Sequence, residues 1–249
     1  MSDISPTNSI LPGTSRFATT HWSVVLAAGQ PGYPSHQQAL ETLCRTYWFP
    51  LYAYLRRQGC DTHLAEDYTQ AFFARLLEKH DLRLADPKHG RFRSFLLSAL
   101  KNFQANESDR AQAQKRGGDK KILSLDFENA ETRYCWEPAD DLSPEKLFER
   151  SWALTVLDRA MARLQAESAG SNRQELFDRL KAYLTAEMGS VPYRDVAAEL
   201  GMTEGAVKVA VHRLRRHYRQ LLRDEIAQTV SSEDQIDEEI RDLFAALSS

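Results

Sequence analysis

The strongest candidate chemistry lies near the C-terminus, in Val191 to Tyr218, V-P-Y-R-D-V-A-A-E-L-G-M-T-E-G-A-V-K-V-A-V-H-R-L-R-R-H-Y. Lys208, His212, Arg215 and Arg219 recur at spacings of four, three and four, which a helix gathers near one face. Arg213 and Arg216 flank that face. Such cations neutralise phosphates, and those near the helix start can reach guanine edges. Val196, Ala197 and Leu200 predict the buried face of a preceding helix, with Ala197 small where two helices cross. Gly201 suits a turn with positive φ, and Thr203 suits a helix cap. Val207 and Val211 face inward from the second helix. This pattern predicts a helix-turn-helix whose second helix enters the major groove of DNA. The plainer alternative is a solvated basic helix packed on a neighbour.

The total charge hides this signal. The chain of 249 residues has 32 Lys+Arg against 35 Asp+Glu, a formal −3. Ala206 to Arg223 holds six basic residues and no acid, whereas Asp224 to Ser249 holds eight acids and one base. Salt screens charges beyond ~8–10 Å, so a polyanion responds to the local density. A hydrophobic share of 42% and a charged share of 27% exclude a wholly disordered chain. The absence of an eighteen-residue apolar run argues against a membrane span, and the polar Met1–Ser15 does not read as a signal peptide. Cys44, Cys60 and Cys135 are widely spaced and odd in number, which favours a reducing cytoplasm over a disulfide framework. Cys60-Asp61-Thr62-His63 resembles half of a metal site without the other half. With no Gly-rich phosphate loop or nucleophile motif, the expectation is no enzyme, no metal and no cofactor.

The elements that must position these residues read as helices throughout. Residues 1–16 read as a mobile leader. Thr20 suits the cap of a short helix with Trp22, Val25 and Leu26, and Gly29–Pro34 reads as a loop. A helical pattern from Ser35 is interrupted by Pro50, which predicts a second helix to Gly59. Asp61 suits the cap of the next helix, and Arg91 to about Arg116 reads as one long helix stopped by Gly117-Gly118. Residues 118–142 lose the pattern and read as a linker. Ser143-Pro144-Glu145 is a strong helix start. Further helices are predicted over 175–186, 193–200 and 204–222. The expected fold is all-α: helical domains at 17–117 and 143–223, joined by that linker, with an acidic amphipathic tail at 224–249.

Two N-terminal segments extend the functional reading: Leu64–Phe73, L-A-E-D-Y-T-Q-A-F-F, and Gly90–Arg116, G-R-F-R-S-F-L-L-S-A-L-K-N-F-Q-A-N-E-S-D-R-A-Q-A-Q-K-R. With the C-terminal pattern, they resemble in order the sigma-70 family of bacterial RNA polymerase sigma factors, in its small extracytoplasmic-function group. The first is similar to that family's region-two helix of the form D-A-E-D-x-x-Q-x-x-F, the second to its promoter-melting helix, and the third to region four. The resemblance covers about residues 20–117 and 143–223. It implies a cytoplasmic initiation factor that binds core RNA polymerase through the beta-prime clamp helices and the beta flap. It also implies that promoter DNA is captured as a melted minus-ten strand and read as a minus-35 duplex.

On that resemblance, Glu66, Asp67, Gln70 and Arg75 contact core polymerase, although Glu66 and Asp67 could equally serve the helix dipole. Arg91, Phe92, Arg93, Lys101, Asn102, Asn106 and Arg110 take the minus-ten strand, by positive charge, amide and aromatic ring. Phe95 reads as core. Asn102 is a poor helix former, and an exposed amide there can read a base edge. Thr203, Glu204, Lys208, His212, Arg213 and Arg216 read the duplex. Val209 and Ala210 depart from the Ser or Thr and Arg common after that lysine, so the promoter sequence does not carry over. The resemblance leaves room for an anti-sigma factor or other regulator.

In the tail, Ile236, Ile240, Leu243, Phe244 and Leu247 form an apolar stripe on an acidic helix. It reads either as a regulatory segment that competes with DNA or docks on polymerase, or as a helix completing a core. The alternative function is a helix-turn-helix regulator acting without polymerase, which leaves Leu64–Phe73 and the long helix from Arg91 unexplained.

Overall fold

The computed structural model describes residues 23–30, 32, 34–78, 82, 85, 91–113, 125, 127, 129–136, 142–169, 173–185, 191–230 and 232–248. Among the described residues the fold is all-α, with no strand. The predicted leader, the Thr20 cap with Trp22, and most of 118–142 lie outside them.

Helix α1 (Ser23–Gly29) packs on α2 (His36–Arg57). The sequence predicts a break at Pro50, yet α2 runs through it. An interior proline costs ~3 kcal/mol by losing one hydrogen bond and crowding the preceding turn. Here Phe49, Leu51, Tyr52 and Leu55 are fully buried around it. Burying one such side chain returns roughly 1.5–3 kcal/mol, so packing outweighs the local penalty. Gly59 ends the helix at φ +94°, in the left-handed region that favours glycine.

Helix α3 (Thr62–Glu78) starts as predicted: the Leu64 N–H donates to Asp61 Oδ1 at 2.8 Å. Helix α4 (Phe92–Ala113) meets α3 through aromatic edges, with Phe103 5.8 Å from Phe72 and 6.1 Å from Tyr68.

Within the predicted linker lies a short helix, α5 (Ala130–Cys135). Its Glu131 carboxylate accepts from Tyr52 Oη at 2.7 Å and from Arg56 Nε and Nη2 at 3.0 and 2.7 Å. Arg133 lies 4.0 Å over the Phe49 ring, and Phe127 meets Trp48 edge-on. Six residues are too few to hold a helix alone or to show a period. Long-range contacts to α2 supply what the local sequence lacks.

Helix α6 (Pro144–Ser168) has the predicted Ser143 cap, whose Oγ accepts from the Lys146 N–H. Its buried face, Leu147, Phe148, Trp152, Val156, Ala160 and Leu164, packs most heavily on α2. The larger core therefore draws on both sides of the predicted linker.

The sequence predicts one helix over 175–186; the structure divides it into α7 (Arg173–Leu180) and α8 (Ala182–Thr185), with Lys181 in a turn. Helices α9 (Tyr193–Glu199) and α10 (Glu204–Ala227) follow, joined by the turn that Gly201 takes at φ +62°. A smaller core collects Leu180, Tyr183, Val196, Ala197, Val207 and Val211. Helix α10 runs past the predicted Leu222, so Leu221, Leu222 and Ile226 enter the larger core. Its Glu225 accepts from Arg159 and Arg163 of α6, both at 2.8 Å. Helix α11 (Glu233–Ser248) buries Ile236 and Leu243 in the larger core. The tail thus completes a core, one of its two predicted roles.

Candidate nucleic-acid interface

The N-terminus of α10 is built as its sequence predicts. The Ala206 N–H donates to Thr203 Oγ1 at 3.2 Å, so Thr203 caps the helix. Its hydroxyl oxygen accepts this bond, and its own proton stays available as a donor. Glu204 pairs with Lys208 one turn on, at 2.6 Å, and this contact lowers the pKa of Glu204 and raises that of Lys208. The Lys208 ammonium also lies 5.7 Å from the Tyr193 ring, which itself stacks on Tyr183.

From Lys208 onward a groove of about 590 Å³ follows one side of α10, lined by His212, Arg215, Arg216, Arg219 and Arg223 with Tyr193. His212, Arg216 and Arg219 are exposed. Arg215 is half-buried and donates from Nε and Nη2 to the Tyr183 carbonyl at 3.2 and 2.9 Å. It braces the end of α8 against α10, so its place on the predicted basic face is partly structural. Arg213 diverges from the others. It lines a second, more apolar groove of about 750 Å³ with Leu176, Met202, Val209, Ala210 and Leu214. Predicted with the duplex-reading set, it lines this groove rather than the one that holds His212 and Arg216, although it is a three-residue helical neighbour of Arg216. A step of one residue turns a helix by about 100°, which carries Arg213 from the His212 groove to the flank of the helix.

The predicted strand-binding residues separate into buried and exposed groups. Phe92 is 1% exposed and packs edge-on against Tyr47, so it is core. Arg93 is 4% exposed, ion-paired with Glu149, Glu239 and Asp242, and stacked 4.4 Å from Trp152. Neither side chain can touch a nucleic acid in this conformation, which corrects both expectations. An arginine near a helix start reads as a phosphate ligand only until distant acids close over it. Burial alone would lower the Arg93 pKa, but Glu239 and Glu149 together raise it, and burial pushes the Glu239 carboxyl up against the pull of Arg93. Lys101 is exposed but pairs with Glu145 of α6 at 2.8 Å and lies 5.7 Å from the Tyr54 ring. Arg110 has its side chain outside the described residues.

Asn102 and Asn106 remain exposed, one turn apart, and Asn106 Nδ2 donates to the Asn102 carbonyl at 2.7 Å. Asn102 lines a cleft of about 340 Å³ between α3 and α4, with Arg75, Phe72, Phe95 and Phe103. Phe95, predicted as core, is half-buried and stacks on Phe92 at 6.0 Å, leaving part of its ring to the cleft. Arg75 contributes a buried Nη1 with no hydrogen-bond partner among the described residues, and its guanidinium lies 5.8 Å from the Phe103 ring. The sequence assigns Arg75 to a protein contact; the structure makes it the cation of this cleft. An unpartnered donor beside an amide and the partly exposed Phe95 ring suits a planar, hydrogen-bonding ring.

On α3, Asp67 is exposed, and Glu66 and Gln70 are half-exposed. The first turn of α3 contains no acid, and Asp61 already serves as cap. Helix capping therefore does not account for Glu66 and Asp67.

Among the described residues no group of three or more His, Cys, Asp or Glu comes together as a metal site, and no helix is long and apolar enough to cross a membrane. Comparison with protein families, with curated proteins and with solved structures finds no match to this chain.

Proposed function

We propose that this chain is a transcription initiation factor of the sigma type. It binds core RNA polymerase and directs it to promoters. The exposed residues of α10 read the minus-35 duplex, and the α3–α4 cleft captures a base of the melted minus-ten strand. The polymerase carries the chemistry, and the chain needs no cofactor.

The observation that carries the reading is the α10 groove, where Arg216 and Arg219 are exposed and have no carboxylate partner among the described residues. They follow a tight glycine turn and a threonine cap, on a helix whose opposite side is buried. Exposed arginines in a row meet phosphates and, at the helix start, base edges. The cleft lined by Asn102, Arg75 and Phe95 adds a second chemistry, suited to an unstacked base. Exposed Asp67 with Gln70 offers a polar rim to a basic protein surface. The three motif segments stand in the order the sigma resemblance requires.

One observation favours a helix-turn-helix regulator acting without polymerase: burial of Phe92 and Arg93 removes two predicted strand contacts. Affinity for bacterial core RNA polymerase decides between them. Submicromolar binding, weakened by Asp67→Ala/Gln70→Ala, supports the sigma reading. No binding by the full chain overturns it and leaves the regulator.

A further inference from the structure

We propose that α11 is an internal competitor for nucleic acid, its Asp242 and Asp237 each occupying a cation at the edge of a candidate binding surface: Arg91, beside the α3–α4 cleft, and Arg223, in the α10 groove. The inference rests on the reading above, that DNA is the ligand of those surfaces.

Arg91 immediately precedes α4 and lies one turn before Phe95, which lines the cleft with Ser98, Ala99 and Asn102; Arg91 itself stands outside the lining, at its edge. Its Nη1 is ion-paired with Asp242, and its Nε lies 3.7 Å from Glu239. Arg223 lines the far end of the α10 groove and donates to Asp237. Asp237 and Asp242 belong to one helix, and each pairs with a cation beside a different surface, Asp242 also lying 3.3 Å from the buried Arg93 guanidinium. By contrast, Arg216 and Arg219 in the middle of the α10 groove have no carboxylate partner among the described residues.

The helix is well placed to present these charges. Its apolar side, Ile236 and Leu243, is buried against the larger core, while the side chains of Asp237 and Asp242 are 62% and 38% exposed. Buried Glu239 ties the helix to Arg93. The helix is therefore anchored by its core side and its pairs at the rim are solvent-accessible. Exposed ion pairs are individually weak. A phosphate can displace such a carboxylate without undocking the helix, and each displaced carboxylate is a toll on binding. The two tolls fall on different ligands: Asp242 on the strand in the cleft, Asp237 on the duplex along α10.

The test uses the full-length chain with two fluorescent probes, a single-stranded deoxyoligonucleotide and a duplex, titrated at several salt concentrations. Asp237→Asn raises duplex affinity about two- to fivefold and leaves the single-strand affinity unchanged. Asp242→Asn does the converse. In an Arg223→Gln background, Asp237→Asn gives no gain. Glu238→Gln makes the same change of net charge at an exposed position and gives neither selective gain. Unchanged affinities in both variants, with a wild-type chain that binds, overturn the competitor while leaving the function standing. An equal gain from Glu238→Gln, or a gain that survives Arg223→Gln, also overturns it, by reducing the effect to net charge. If the wild-type chain and both variants bind neither probe, DNA is not a ligand of the free chain and the competitor falls, while affinity for core RNA polymerase decides the functional reading separately.

Discussion

Arg93 and Glu239, 146 residues apart in the chain, form a buried ion pair in which each side chain is 4% exposed. The pair ties the start of α4 to α11. Glu149 of α6 closes the other side of the guanidinium at 2.5 Å, and Trp152 covers its face. Removing one member of such a pair leaves a charge in a place water does not reach. Glu239→Leu should cost roughly 3 kcal/mol in urea unfolding at neutral pH. Arg93→Met/Glu239→Leu should recover much of it, because a hydrophobic replacement leaves less charge uncompensated. Equal losses in the single and double variants would refute the pair as the source.

Glu131 holds α5 on α2, and the Arg56 guanidinium lowers its pKa below the usual 4.5. A carboxylate with a depressed folded pKa stabilises fully above its unfolded value, and that stability is lost as pH falls through the folded one. Glu131→Gln should therefore cost about 1 kcal/mol at pH 7, discounted for its partial exposure. It should also flatten the acid limb of the stability profile below about pH 4.5. Stability measured by urea from neutral pH downward reads both effects. A variant with an unaltered acid limb would show that the contact contributes nothing.

Gly201 adopts φ +62°, and a Cβ added there meets nothing within 4 Å. The cost of a side chain is then conformational rather than steric. Gly201→Ala should lose about 1–2 kcal/mol, and Gly201→Asn less, because asparagine visits the left-handed region more readily. Thermal unfolding of the two variants separates them. A larger loss for asparagine would contradict a backbone origin.

Arg215 and Arg216 are neighbours with different work. Arg216→Ala should leave stability unchanged and lower the slope of duplex affinity against salt by about 0.9, the value of one phosphate contact. Arg215→Ala should destabilise by about 1–2 kcal/mol, since it strips the carbonyl of buried Tyr183 of its charged donors. Salt titrations and urea melts on both variants test the division, and interchanged phenotypes would reverse it.

In the α3–α4 cleft, Asn102→Ala and Phe95→Ala should each weaken single-strand binding by about 1–2 kcal/mol and leave duplex binding intact. Phe95→Ala also loses packing on Phe92, so its stability is measured alongside. Asn102→Ala carries the test because its side chain is exposed. Equal losses for both probes would place the single strand elsewhere.

The sequence by itself determined the local features. The all-helical class, the Asp61, Ser143 and Thr203 caps, the Gly201 turn and the inward Val207 and Val211 all depend on neighbours within a turn or two, and periodicity reports those directly. Exposure of Asn102, His212 and Arg216 was legible for the same reason. The rest required distant partners. Pro50 stays inside a helix because the larger core closes around it, and α5 exists because Tyr52 and Arg56 reach Glu131 across the fold. Arg93 is withdrawn from any ligand by acids on α6 and α11, whereas Arg75 gains a cleft from rings on α4. A charge in a sequence reveals its sign and its helix face. Whether that charge meets solvent, a ligand or a buried carboxylate is decided by which distant helix packs over it.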